Sequence, residues 1–272
     1  MYRGYRIVAV CPTTIEKRHT ELVLYYLNRA EVFDEIRLWI NENKIVDREY
    51  FELLRTPKYA FVIPVIRPAE DNTWRHFYSG CTDQNTIYVK IDGDVVYVGT
   101  NAIKTLLDYR IDHTEPFLIS ANVINNGICA YYQQYYGSIG KEFGQLTCTS
   151  NDQIAYKNKD FVKHLHTLFV DAIERDVVET FFIPHITLSQ YPYFSINAIS
   201  FFGRDLIGKV DRMEGGDEGW ISQIYPREER RPCVICGNSI VSHYSFSTQR
   251  EFLNKNTNIF DRYEKLAFEP HT

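Results

Sequence analysis

The chain lacks the features that mark a membrane, secreted or fibrous protein. It has no run of about 18 apolar residues, the length a spanning helix needs, so no membrane span is expected. The opening MYRGYRIVAVCP holds too short an apolar core for a signal peptide and no small-residue cleavage site. The six cysteines, Cys11, Cys81, Cys129, Cys148, Cys233 and Cys236, are scattered without the spacing of a disulfide framework. A reducing, cytoplasmic compartment is therefore expected. Cys233 and Cys236 make one C-x-x-C, but no second pair follows to complete the four ligands of a structural zinc site. Val234 and Ile235 between them suggest a buried strand instead. No Gly-, Pro- or Ser-rich linker and no internal repeat divides the 272 residues, which read as one domain. Basic residues are also in deficit. The 30 Lys and Arg against 35 Asp and Glu leave a net charge of −5, which argues against generic nucleic-acid binding.

Aromatic residues, by contrast, are abundant. The 20 Tyr and 17 Phe suit flat ligands such as sugars and bases, although most such rings belong to the core. Apolar runs at 6–10, 36–40, 60–66, 87–91, 95–98, 116–121, 193–202 and 233–243 read as strands, the third interrupted by Pro64 and the last by a glycine. Helical spacing follows a Thr13 or Thr14 cap, with Leu22, Val23, Tyr26, Leu27 and Ala30 on one face. Further helices are expected at 47–54, 101–110 and 161–174, and from Ser247 or Thr248 to about Leu266. A short amphipathic segment spans 73–78, and 137–160 reads as a long loop. Strands alternating with helices predict an α/β fold, a mostly parallel central sheet with helices on both faces. Ligands of such sheets bind beyond the carboxyl ends of the strands.

The stretch that organises this pattern is TIYVKIDGDVVYVG, residues 86–99. Asp92-Gly93-Asp94 separates two strand-like runs. Asp-Gly favours a hairpin turn. Two neighbouring carboxylates at a buried strand end also suit a hard divalent cation, Mn²⁺ or Mg²⁺, which takes oxygen ligands and bridges to phosphates. Gly93 would let a ligand approach the backbone. Thr13 and Arg18 follow the first strand and would converge on the same crevice. Asn122, Asn125 and Asn126 follow a later strand, as turn formers or as neutral partners for sugar hydroxyls. Asp217-Glu218 lies between glycines and is followed by Trp220, as an acidic pair or as a turn with a helix cap. His164 and His166 sit two apart on a helix, face different ways and make a poor metal pair.

Taken together, IVAVCP, KIDGDVVYV, DEGW and VSHYSF resemble a metal-dependent glycosyltransferase of the GT-A fold, of a stand-alone bacterial or large-virus type. The resemblance implies a nucleotide-sugar-binding half at 1–100 and an acceptor-binding half at 101–272. It implies a Mn²⁺ or Mg²⁺ ion on Asp92, Asp94 and the late His243, and an acidic general base at Asp217 or Glu218. Cys11, Pro12, Thr13, Arg18, Lys90, Asp92, Gly93, Asn122, Asn125 and Arg250 are the implied nucleotide-sugar contacts, and Trp220 the acceptor's stacking platform. The donor it favours is a UDP-sugar, the acceptor a glycan hydroxyl, and the outcome inversion. Nucleotidyl transfer in the same fold would favour a glycine-rich basic loop after the first strand, whereas this one reads CPTTIEKR. A non-catalytic carbohydrate-binding role is the remaining alternative.

Overall fold

The structure is a computed structural model that describes residues 1–12, 16–41, 54, 57–67 and 74–269. Among these, nine strands form one sheet: β1 (Arg6–Pro12), β2 (Glu35–Asn41), β3 (Val62–Arg67), β4 (Thr86–Ile91), β5 (Val95–Val98), β6 (Ile119–Ile124), β7 (Ile186–Leu188), β8 (Ala198–Phe202) and β9 (Cys233–His243). Their order is β3-β2-β1-β4-β8-β6-β9-β5, with β7 also on β9. β3, β2, β1 and β4 are mutually parallel, and β6 is parallel to β9. β8 runs against both β4 and β6, while β5 and β7 run against β9. The sheet is therefore mostly parallel, and helices lie on both of its faces. They are α1 (Lys17–Arg29), α2 (Arg75–Ser79), α3 (Ala102–Asp112), α4 (Gly127–Tyr135), α5 (Lys159–Glu174), α6 (Asp217–Gly219), α7 (Tyr225–Glu228), α8 (Ser247–Asn256) and α9 (Ile259–Phe268).

The central strands are apolar without alternation because both of their faces are covered. Every residue of β4 and of β6 is buried. β3 tolerates Pro64 because it is an edge strand, where a missing amide donor breaks no ladder. α5 starts where Asn158 accepts hydrogen bonds from the amides of Asp160 and Phe161, both at 3.0 Å. It then buries Phe161, Val162, Leu165, Phe169 and Val170 on one face.

Several expectations shift. β6 begins at Ile119 rather than 116, which draws Asn122 into the strand. β8 keeps only the end of the run at 193–202. The short β7 was not expected, and neither was α4, which Asn126 caps by accepting from the Cys129 amide at 3.2 Å. The expected final helix is two, α8 and α9, because Thr257 is extended between them. The Thr13 and Thr14 caps and the helix at 47–54, apart from Leu54, lie outside the described residues. No helix among the described residues is long and apolar enough to cross a membrane.

His166 is a core residue with a definite tautomer. Its Nε2 faces the Tyr244 carbonyl at 2.8 Å, which can only accept, so Nε2 carries the proton. Nδ1 then accepts from the Tyr263 hydroxyl at 2.9 Å. Burial lowers the imidazole to about 4, below the roughly 6.5 of an unfolded chain. As pH falls through that window, the unfolded chain takes up a proton that the folded one refuses. Stability contributed at neutral pH should thus fall by up to about 3 kcal/mol between roughly pH 6.5 and 4. Melting temperatures across that range check it: the drop should shrink in His166→Gln, and an unchanged drop would contradict this assignment.

Candidate active site

Strand direction alone gathers the site. β1, β4, β6 and β9 all point the same way, so their carboxyl ends share one edge of the sheet. That edge carries Cys11, Asp92, Asn125 and His243. β5 and β8 run the other way, which puts their starts, beside Asp94 and Asn197, at the same edge. The register fixes the neighbours. Val95 faces His243 across β5–β9, and Ile91 faces Ala198 across β4–β8.

Asp92-Gly93-Asp94 is a tight turn, closed by the Val95 amide on the Asp92 carbonyl at 3.0 Å, but it is not a hairpin. β4 and β5 are separated in the sheet by β8, β6 and β9. The turn therefore delivers its two carboxylates to different partners. Asp92 accepts from Lys90 Nζ and, at 3.2 Å, from Asn197 Nδ2. Asp94 lies 3.4 Å from His243 Nε2 through Oδ1 and 2.5 Å from Arg250 Nη2 through Oδ2. Burial pushes both carboxyls up. For Asp94 the nearby His243 and Arg250 prevail and hold it at about 2. For Asp92 burial and the Asp94 charge outweigh the pull of Lys90, and its affinity for a proton rises. His243 responds in kind: burial would lower it, but Asp94 raises it above its ordinary value.

Asp217 approaches from the other half of the chain, at the first turn of α6. It is buried and accepts from the Tyr78 hydroxyl at 3.2 Å. Burial raises its pKa, opposed by the charge of Lys90 and reinforced by that of Asp92. Lys90 is itself buried between the Asp92 carboxylate and the Ile196 carbonyl, 2.9 Å away. Burial alone would strip its proton, yet Asp92 and Asp217 hold it above its ordinary pKa. Glu218 turns outward, accepts from the Tyr193 hydroxyl and lines an open cleft of about 670 Å³ with Cys148, Tyr156, Pro192 and Phe246. Four carboxylates thus meet the permanent cations Lys90 and Arg250 and the titratable His243, an excess of negative charge that suits a cation.

Other expected contacts fall elsewhere. Trp220 is 2% exposed and stacks on Tyr225, with centroids 4.7 Å apart, so it cannot be an acceptor platform. Asn122 is fully buried and serves the fold, donating to the carbonyls of Phe181 and Gly237 at 2.9 and 3.0 Å. Arg18 turns to α9, bonding Asp261 and Glu264 and covering Phe260. Asn125 is also buried; its side chain donates to Tyr244 and Gln249, while its carbonyl faces His243 Nδ1 at 3.3 Å. Cys11 is buried near the two aspartates, its thiol pushed up chiefly by burial, and Pro12 is paired with Trp39 in the sheet. Gly93 stays in the turn at the crevice. Thr13 lies outside the described residues. Asn197 escaped sequence reasoning, since nothing near it in the chain is charged. Its Oδ1 accepts from Asn126 Nδ2 at 2.9 Å, so Asn126, Asn197 and Asp92 form a buried relay that orients the first carboxylate.

No family model matches the sequence, and no curated protein matches it. Among solved structures, the chain is similar to a 4-diphosphocytidyl-2C-methyl-D-erythritol synthase from Anaerococcus prevotii. The TM-score is 0.51 at 13% identity, over 93% of this chain and 97% of that one. The fold is GT-A-like. Two further similar structures are a CMP:2-keto-3-deoxy-manno-octonic acid synthetase complexed with CTP (TM-score 0.49, 9% identity, 92% and 96% coverage) and a glucosyl-3-phosphoglycerate synthase from Mycobacterium tuberculosis in complex with Mn²⁺, uridine diphosphate and phosphoglyceric acid (0.49, 10%, 99% and 81%). At such identities the likeness of this GT-A-like chain to any of them concerns the fold alone.

Proposed function

We propose that the chain is a glycosyltransferase that moves a sugar from a nucleoside diphosphate sugar, with UDP favoured, to a glycan hydroxyl, with inversion. The observation that carries the reading is Asp94 held by His243 and Arg250 at the sheet edge where Asp92 pairs with Lys90, whose charge also acts on the buried Asp217 from the other half of the chain.

A divalent cation fits this donor set in a particular way. Among the described residues, no three His, Cys, Asp or Glu side chains are grouped into a closed metal cage. Asp94 Oδ1 and His243 Nε2, 3.4 Å apart, offer two ligands on one side. Mn²⁺ or Mg²⁺ would be held there by these two side chains, with waters and substrate phosphates as its other ligands. Asp92 is engaged by Lys90 and Asn197 and would act through its charge. When bound, such an ion neutralises the leaving diphosphate as a Lewis acid.

The chain's own groups account for the rest. Asp94 and His243 would hold the ion, and Arg250, beside Asp94, would bond a diphosphate oxygen. Lys90 stays protonated and adds positive charge beside Asp92. Asp217 serves as general base, its proton affinity raised by burial and Asp92. As the acceptor oxygen bonds to the anomeric carbon, its proton passes to the Asp217 carboxylate. The carbon–oxygen bond to the diphosphate breaks, and its electron pair leaves with the diphosphate. Glu218 lines the cleft from which the acceptor enters. Residues 1–100 then contribute most of the donor side and 101–272 most of the acceptor side.

Thermal shift tests the donor side. UDP with Mn²⁺ should raise the melting temperature by several degrees, as expected at about a hundred times Kd, whereas UDP alone should do far less. Equal shifts with and without the ion would contradict the reading.

A further inference from the structure

The cleft at Glu218 does not end at its own walls. On one side it is lined by Cys148, Thr149 and Ser150, part of a segment that runs along α4: the Thr149 and Ser150 carbonyls lie against Gly127, and the Leu146 amide donates to Gln134 at 2.8 Å. Along α4 a patch of tyrosines continues over the surface. Tyr131 and Tyr135 are one helical turn apart on α4 and stack at 6.3 Å and 25°. Tyr132 and Tyr136 form the neighbouring pair, again four residues apart. Cross contacts tie the two rows together, Tyr131 to Tyr132 at 5.1 Å and Tyr135 to Tyr136 at 5.0 Å. Tyr135 is 67% exposed and Tyr136 is 45% exposed, uncommon for rings that could have been core.

The chemistry of the patch narrows its ligand. Tyrosine offers a flat apolar face and a hydroxyl that donates and accepts. A pyranose offers an apolar ring face edged with hydroxyls, the complement of both. Within the cleft charge is sparse: among the described residues lining it, Glu218 is the one charged side chain. That lone carboxylate would repel a phosphorylated or carboxylated ligand and not a neutral one.

We infer that α4 carries a second saccharide-binding site, and that the acceptor is an uncharged oligosaccharide whose remote sugars lie on Tyr131, Tyr132, Tyr135 and Tyr136 while its end enters the Glu218 cleft. This rests on the cleft being the acceptor side of a glycosyltransferase. The remote sugars would bring binding energy to hold the reacting hydroxyl at Asp217, so a long acceptor would outcompete a single sugar.

Affinity electrophoresis tests it, with native gels cast with dextran, xylan, mannan or glycogen and run with the full chain and Tyr135→Ala/Tyr136→Ala. Both rings are exposed at the end of α4, so the double variant should fold; melting temperature checks this. At least one polysaccharide should retard the wild type, and the variant should lose about tenfold or more in apparent affinity. Its UDP–Mn²⁺ thermal shift should be unchanged. Equal retardation of the two proteins, no retardation by any of the four, or a change in oligomeric mass in place of retention would overturn the proposal. Retention lost in the variant, in a protein that shows no nucleotide shift, would uphold the tyrosine site and overturn the transferase reading instead.

Discussion

Asp94→Asn is expected to abolish metal-dependent turnover of a UDP-sugar, by roughly 10²-fold or more, the scale of losing one preorganised electrostatic partner of the transition state. The substitution keeps the side chain's shape and removes its charge. His243 loses the carboxylate that raises its pKa, and Arg250 loses its 2.5 Å partner. Both Asp94→Asn and Asp94→Ala break the buried ion pair, at about 3–5 kcal/mol, but the alanine also leaves a cavity and removes the polar atoms that His243 and Arg250 can still bond in the asparagine. The asparagine variant is therefore the informative one, read by product release with and without Mn²⁺ and by circular dichroism for the fold. Activity within a few-fold of wild type would remove Asp94 from the ion and the leaving group.

The second large effect separates the neighbouring acids. Asp217→Asn is expected to lower kcat by about 10²–10⁴-fold, the range for a positioned general base, with donor binding retained. Glu218→Gln should mainly raise the KM of the acceptor, because that side chain faces the cleft and is held by Tyr193. Their surroundings predict this division. Asp217 is buried, bonded to Tyr78, and has raised proton affinity, while Glu218 lies at the cleft wall. Steady-state kinetics on both variants measure it. A larger kcat loss in Glu218→Gln than in Asp217→Asn would exchange the two roles.

Much of the fold was legible because it rests on local pattern. The β-branched runs of β1, β4 and β9 and the face of α5 each follow from a short stretch of residues. The placement of Asp92-Gly93-Asp94 past a strand end was legible for the same reason. What the pairing of distant segments decides was not. β5 joins β9, some 150 residues later, so the Asp-Gly turn closes no hairpin. A three-residue shift in β6 turned Asn122 from a loop donor into a buried strut. Trp220 beside an acidic pair looked like a platform, but a following π-helical turn packs it onto Tyr225. Arg18 was drawn away by Asp261 and Glu264, whose approach depends on α9 folding back over α1. The Asn126–Asn197 relay joins two neutral residues 71 positions apart, and nothing in either neighbourhood marks it.

The reaction itself is the most direct test. Purified protein with Mn²⁺ is offered, separately, a set of UDP- and GDP-sugars with glycan acceptors, and CTP or UTP with sugar phosphates, and the released phosphate species are identified by mass spectrometry. The account predicts a nucleoside diphosphate from one of the sugar nucleotides, dependent on Mn²⁺ and lost in Asp94→Asn. Pyrophosphate released from a nucleoside triphosphate, with no turnover of any sugar nucleotide, would contradict it.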